Sequence, residues 1–178
     1  MKELNDLAEL IKQGEVEKSL ATVKTIIDEG AIEKILSVMT IAMRELGEQF
    51  EKKKIQKKTV VLGTVEGDIH EIGKNIVSIV LKAEGYNVID LGTDVGIDKF
   101  LLTASEKNAS IIGLSTLLTT TMHIQMDLIS KLIEEGESEN YFVIIGGAPV
   151  SQKWADRIGA DAYCEDAFSA AQLLNSLQ

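Results

Sequence analysis

The sequence predicts an α/β protein: a doubly wound, five-stranded parallel sheet preceded by a short amino-terminal helical bundle. Two observations carry this prediction. From Thr59 onward, short apolar runs rich in Val and Ile alternate five times with amphipathic segments, and such an alternation implies parallel pairing through right-handed crossovers. Before Lys52 the apolar residues instead recur at spacings of three and four, the period of helices that bury one face.

Leu4, Leu7 and Ile11 share one helical face up to Gly14; Val16, Leu20, Val23 and Ile27 form a second stripe up to Gly30. Ile32, Ile35, Met39, Met43, Leu46 and Phe50 continue the pattern to a lysine run. Three helices over residues 2–51, joined by two- or three-residue connections, favour antiparallel packing. The methionines read as core rather than as a cofactor face. Lys52, Lys53, Lys54, Lys57 and Lys58 read as a solvated junction between domains at 1–55 and 56–178. A three-helix unit of this size is marginal as an independent core, so it should dock on the α/β domain, on a second copy of the chain, or on both.

In the second domain the expected strands are 59–65, 86–91, 110–115, 141–146 and a weaker 160–164. The expected helices are 71–84, 97–107, 121–135, 151–157 and 166–177. Strands apolar on both faces suit burial between two helical layers.

Composition narrows the function. With 45% apolar residues in 178, the chain can bury a sizeable core, while a net charge of −10 opposes binding to phosphate backbones. No apolar run approaches the roughly 18 residues that span a bilayer, and the amino terminus lacks the apolar region of a secretory signal. The single cysteine, Cys164, and only two histidines exclude an internal disulfide and a Cys/His zinc cluster. A cytoplasmic protein with neither nucleic acid nor membrane as partner is expected.

In open α/β sheets ligands bind beyond the carboxyl ends of the strands, so the chemistry is read from those ends. After the first strand come Gly67, Asp68, His70 and Gly73. In Asp68-x-His70 a carboxylate can hold one ring nitrogen and leave the other free for a metal; the plainer alternative is an exposed loop histidine that follows an aspartate. The third strand ends in Ser115-Thr116-Leu117-Leu118-Thr119-Thr120-Thr121, an uncharged hydroxyl-rich loop, and the fourth in Gly146-Gly147-Ala148. The fifth ends at Tyr163-Cys164. Separately these are helix caps and turns; jointly they describe a neutral slot with one imidazole at its mouth. His123, in the helix after the threonine loop, reads as an exposed helix residue.

Other tenants of this architecture are disfavoured. No Gly-x-Gly-x-x-Gly or P-loop follows the first strand. Ser115 stands where a phospho-acceptor receiver would carry an acid, and no Gly-x-Ser-x-Gly elbow marks a hydrolase.

The stretches Gly63-Thr64-Val65-Glu66-Gly67-Asp68-Ile69-His70-Glu71-Ile72-Gly73-Lys74-Asn75, Gly113-Leu114-Ser115-Thr116-Leu117-Leu118-Thr119-Thr120-Thr121-Met122, Ile145-Gly146-Gly147-Ala148-Pro149-Val150 and Ile158-Gly159-Ala160-Asp161-Ala162-Tyr163 together resemble the cobalamin-binding corrinoid proteins of methyltransferase systems. These are similar to the cobalamin module of methionine synthase. The likeness runs from about Val60 to Leu174, and Glu45-Leu46-Gly47-Glu48-Gln49-Phe50-Glu51 extends it into the helices.

The resemblance implies a flavodoxin-like sheet and a cobalamin whose benzimidazole leaves the cobalt and drops into the slot. His70 would become the lower axial ligand, with Asp68 on its other nitrogen and Thr121 extending the relay. Ser115 and Thr119 would contact the base, and Leu117, Gly73, Gly146 and Gly147 would wall the slot. Gly67, Ile69, Glu71, Ile72, Ala148, Tyr163 and Cys164 complete the expected cofactor-facing set. The implied role is methyl carriage by a subunit not catalytic alone. One partner methyltransferase, specific for the methyl donor, would load the chain to the methylcobalamin state; a second would pass the methyl group to a folate or thiol. A reductive activase is a third implied partner.

Only residues 51–58 separate the third helical stripe from the first strand, where the family usually has a further helix over the corrin. Two chains are therefore expected to associate through their incomplete bundles, or else the upper face is shielded by the partner methyltransferase. Two other cobalamin readings stay open: the small subunit of a carbon-skeleton mutase, and a non-enzymatic sensor or store.

Overall fold

The structure is a computed structural model that describes residues 58–177 and, before them, Asp6, Lys18, Thr22, Val23 and Thr40, each helical. The chain divides into two units, Met1–Lys54 and Ile55–Gln178. Thr22 Oγ1 donates to the Lys18 carbonyl at 2.9 Å, one helical turn back. Otherwise the expected three helices, the lysine run and the dimer contact built on them lie outside the described residues.

In the second unit the elements are β1 (Thr59–Thr64), α1 (Ile72–Ala83), β2 (Asn87–Asp90), α2 (Ile97–Glu106), β3 (Ile111–Ser115), α3 (Met122–Glu134), β4 (Phe142–Gly146), α4 (Gln152–Ile158), β5 (Ala162–Tyr163) and α5 (Ala167–Ser176). Helical stretches of this length and strands of two to six residues match the alternation expected from sequence. All pairings are parallel, in the order β2-β1-β3-β4-β5. The fifth strand is shorter than the expected 160–164, because only Ala162 and Tyr163 pair, with Ile144 and Ile145. Two helices show why the chain turns where it does. Gly159 ends α4 in the left-handed region, at φ 77°, and Asp166 with Ser169 forms a reciprocal cap on α5. Among the described residues no helix is long and apolar enough to cross a membrane.

Alternate residues of the same strands serve two separate cores. Val61, Ile112, Leu114, Val143 and Ile145 pack with Phe100 and Leu128 on one face. Val60, Leu62, Ile111 and Ile144 pack with Leu81, Ala170 and Leu174 on the other. The strand order reverses between β1 and β3, and at such a switch point the flanking loops diverge and open a crevice. Both the Asp68-His70 turn and the threonine loop leave the sheet there.

Candidate cofactor site

The turn after β1 holds His70 by both its backbone and its ring. Thr64 Oγ1 donates to the His70 carbonyl at 2.9 Å. The His70 amide donates to Asp68 Oδ1 at 3.0 Å, and the same oxygen lies 2.7 Å from His70 Nδ1. Asp68 is fully buried, whereas the His70 side chain is 47% exposed. Burial alone would push the Asp68 carboxyl up. The amides of His70 and Leu117, the His70 ring and the Leu118 amide outweigh it and hold the group well below the usual carboxylate range. An ionised carboxylate accepts only, so the proton of the neutral ring sits on Nδ1 and the lone pair on Nε2 faces outward.

The second carboxylate oxygen is anchored as firmly. Asp68 Oδ2 accepts from the amides of Leu117 at 2.6 Å and Leu118 at 3.2 Å, two successive N–H groups forming a small anion nest. Thr116 Oγ1 lies 3.2 Å and Thr121 Oγ1 3.4 Å from the same oxygen, and the two hydroxyls are 2.5 Å apart. Both also reach the Leu118 carbonyl, at 3.2 and 3.0 Å. With one proton each, they can serve the carboxylate and that carbonyl together. Thr121 is thus brought beside Asp68, but Thr116 is the nearer hydroxyl. The sequence gives Thr116 no role because nothing in its spacing separates it from the other hydroxyls of the loop.

Beside His70 a cavity of about 910 Å³ runs between α1 and α5 along the edge of β3 and β4. Of the residues expected to face a cofactor, Ile69, His70, Glu71, Ile72, Gly73, Ser115, Leu117, Gly146, Gly147, Ala148, Tyr163 and Cys164 line it. Asp68 and Thr121 stand behind the imidazole, and Gly67 in the turn before it. Thr119, expected against the base, is exposed at the start of the short Thr119–Thr121 turn and does not line the cavity. His123 is an exposed residue of α3, as expected, and its Nδ1 lies 2.8 Å from the Thr120 carbonyl. Burial pushes the Cys164 thiol up to about 11, with a smaller push from the Asp166 charge, so it is a neutral wall group at neutral pH.

Two glycines define the shape. At Gly147, with φ 127°, an added Cβ would lie 1.6 Å from the Thr116 carbonyl oxygen, so the β4 turn can press against the threonine loop only without a side chain. Gly73 is the opposite case. A Cβ there would meet no protein atom within 4 Å, yet a glycine in the first turn of α1 costs helix stability. Packing among the described residues gives no reason for it.

Lys74 was unmarked in the sequence. It is almost wholly buried in the same wall, with Nζ 2.7 and 2.6 Å from the two oxygens of Asp90 and 2.6 Å from Asn75 Oδ1. All three ammonium protons are thereby used, and α1 is tied to the end of β2.

Among the described residues no three His, Cys, Asp or Glu side chains converge on a common metal position. A single imidazole beside a cavity lined mainly by apolar residues could serve a metal whose remaining ligands come from a macrocycle and not from the protein. Ile69 is 76% exposed at the cavity mouth, with Ile72 and Leu117 also exposed on the wall, a rim apt for the flat face of such a ring.

Comparison with known proteins agrees with that class. The B12 binding domain family matches residues 58–172. Dimethylamine corrinoid protein 2 of Methanosarcina acetivorans is 43% identical over 178 residues, covering 95% of this chain and 81% of its own. The monomethylamine corrinoid protein of Methanosarcina barkeri superposes with a TM-score of 0.71 at 30% identity, covering 97% of both chains. A chain of the methanol:cobalamin methyltransferase complex of Methanosarcina barkeri gives 0.66 at 28% identity, covering 97% of this chain and 67% of its own. The chain belongs to the B12 binding domain family and, within it, to the corrinoid proteins.

Proposed function

We propose that this chain is a methyl carrier that binds cobalamin with its lower base displaced and His70 Nε2 in the base's place. The observation that carries the proposal is the ring of His70, fixed through Nδ1 to a buried, ionised Asp68 and presenting Nε2 beside the cavity. A corrin-held cobalt supplies the nucleophile for methyl transfer when it is bound. The chain's own residues do the rest. Asp68 fixes the ring's tautomer and orientation. Leu117 and Leu118 amides, with Thr116 and Thr121, keep the carboxylate ionised and in place. Ser115, Gly146, Gly147 and Tyr163 present a neutral wall able to receive an aromatic base and its nucleotide arm, while Ile69, Ile72 and Leu117 exclude water from the lower face.

The donor side is proposed to be a substrate-specific methyltransferase, since similar chains are named for dimethylamine and monomethylamine and one is part of a methanol:cobalamin methyltransferase complex. The acceptor side is a second methyltransferase using a folate or a thiol.

The test is reconstitution with cobalamin, reduction, and incubation with methylamines or methanol and candidate methyltransferases. Methyl transfer that needs both the chain and a partner is expected; tight cobalamin binding with no transfer from any donor would overturn the carrier role. His70→Ala isolates the ligand. It should move the visible spectrum of the bound cofactor to that of a cobalt lacking a lower nitrogen, and an unaltered spectrum would exclude His70 as ligand.

A further inference from the structure

The loop after β2 carries a residue whose geometry is aimed at the His70 turn. Asp94 lies in the left-handed region, at φ 54°, one of only two non-glycine residues there among those described. Aspartate tolerates that conformation better than most residues, but still at a cost. A left-handed aspartate held in place needs a reason, and its hydrogen bonds supply one. The Asp94 carboxylate accepts from the Gly67 amide, at 2.7 Å to Oδ1, and the Asp94 amide donates to the Asp68 carbonyl at 3.0 Å. The side chain and backbone of one residue therefore grip the two ends of the Gly67-Asp68 dipeptide, the amide of Gly67 and the carbonyl of Asp68.

That grip continues the sheet beyond its last regular pair. Thr64 N donates to the Gly92 carbonyl at 2.9 Å and Val95 N to the Thr64 carbonyl at 3.0 Å, and Val65 bridges Val95 in parallel. Gly67 itself has φ 79°, and the Asp68 amide donates to the Val65 carbonyl at 3.1 Å, so Asp94 braces a tight turn whose glycine is its most permissive residue. Asp68 is thus fixed at two ends. Its carboxylate is set by the loop after β3, and its backbone by the loop after β2.

We infer that Asp94 is a positioning residue for the His70 imidazole: by clamping the two ends of the Gly67-Asp68 dipeptide it sets where the Asp68 carboxylate, and through it the ring, is presented. Asp94 is exposed and touches neither the ring nor the cavity wall. It works through acceptor geometry, not charge. A neutral side-chain carbonyl at the same place serves equally, and asparagine shares the tolerance for the left-handed region.

This inference rests on the proposed role of His70, and its test separates the two. Asp94→Gly relieves the backbone strain and removes the acceptor; Asp94→Asn keeps both the conformation and an acceptor. In the protein without cofactor, the Nδ1 proton of His70 should give a protected resonance that broadens or vanishes in Asp94→Gly and persists in Asp94→Asn. Amide exchange at Gly67 should accelerate in Asp94→Gly only. With added cobalamin, Asp94→Gly should bind about tenfold more weakly, the low end of what a supporting residue around a metal ligand contributes, with part of the spectrum shifted toward the His70→Ala form. Thermal midpoints of both variants should stay near wild type, because in Asp94→Gly the strain relieved offsets the bond lost and in Asp94→Asn neither changes.

An Asp94→Gly protein with wild-type ring resonance, Gly67 exchange and cobalamin spectrum would overturn the inference. So would an Asp94→Asn protein as impaired as Asp94→Gly. If wild type binds no cobalamin, the functional reading fails, while the ring and amide measurements still decide the clamp.

Discussion

The two faces of the sheet are made from alternate residues of the same strands, yet one is solid and the other hollow. On the solid face the gap left by Gly63 is filled by Phe100: an added Cβ would stand 2.6 Å from the ring's Cζ. Phe100, Leu114, Leu128 and Ile145 are all buried within 2% of complete. On the hollow face Gly146 of β4 lines the cavity together with Ala167 and Ala170 of α5, whereas the gap left by Gly113 is filled by Leu62, whose Cδ1 would stand 2.7 Å from an added Cβ. Leu62, Ile144 and Leu81 close the rest of that face. The difference teaches that the site is made by withholding volume. Small residues on one side of the pleat leave space beneath α1 and α5 at the strand ends, while the opposite side supplies the packing that holds the sheet together.

Substituting one methyl group at three glycines breaks this comparison in three directions. The largest effect is expected at Gly147→Ala, where the Cβ would overlap the Thr116 carbonyl at an unfavourable φ. A loss on the order of 4 kcal/mol or more in urea unfolding is expected, as for other severe backbone conflicts. Near-normal stability would show that the threonine loop is free to withdraw.

Gly63→Ala comes next. The buried Phe100 ring has no free direction, so overpacking should cost about 1–3 kcal/mol and leave cobalamin affinity nearly unchanged, since the solid face is remote from the cavity. A parallel loss of affinity and stability there would mean the two faces are not independent.

Asp68→Asn tests the polar anchor between them. At neutral pH a loss of about 1–3 kcal/mol is expected from mismatched donors around the side chain. The native carboxyl is held below its ordinary value, so its contribution is whole above the unfolded value of about 3.9 and drains away as pH falls below it. The stability gap between wild type and variant should accordingly narrow as pH is lowered from about 6 to about 3. A gap constant with pH would mean the group is not ionised in the folded chain.

Gly73→Ala should give the smallest shift and the opposite sign. No protein atom opposes the Cβ, and replacing a helical glycine by alanine should add up to about 1 kcal/mol. Calorimetry with cobalamin should nonetheless show weaker binding. Greater stability with undiminished affinity would place the cofactor away from this wall.

Much of this molecule was legible in its sequence. The five β-α repeats and their parallel pairing were readable because strand and helix leave different apolar periods, whereas the order of the strands was not, since parallel pairing is compatible with several orders; helix ends such as 71–84 against Ile72–Ala83 differ by a residue, because the expected range includes the flanking residues Glu71 and Glu84. Asp68 and His70 were readable because two residues apart in a turn is already close in space. Thr116, Thr64, Lys74 and Asp94 were not. Each acts on a partner named by no local pattern: Asp94 lies 27 residues from Gly67, Lys74 16 from Asp90, and Thr116 48 from Asp68. Thr64 bonds only six residues ahead, but to a carbonyl that any residue type would offer.

The sequence by itself determined the parallel α/β architecture and the imidazole with its carboxylate, because short-range spacing and hydropathic period encode both. Tertiary structure alone decided which hydroxyls and amides hold that carboxylate, and which glycines leave a cavity and which are filled. Those outcomes depend on what the opposing strand or helix brings to the same point in space, and no linear pattern of residue types contains that distance.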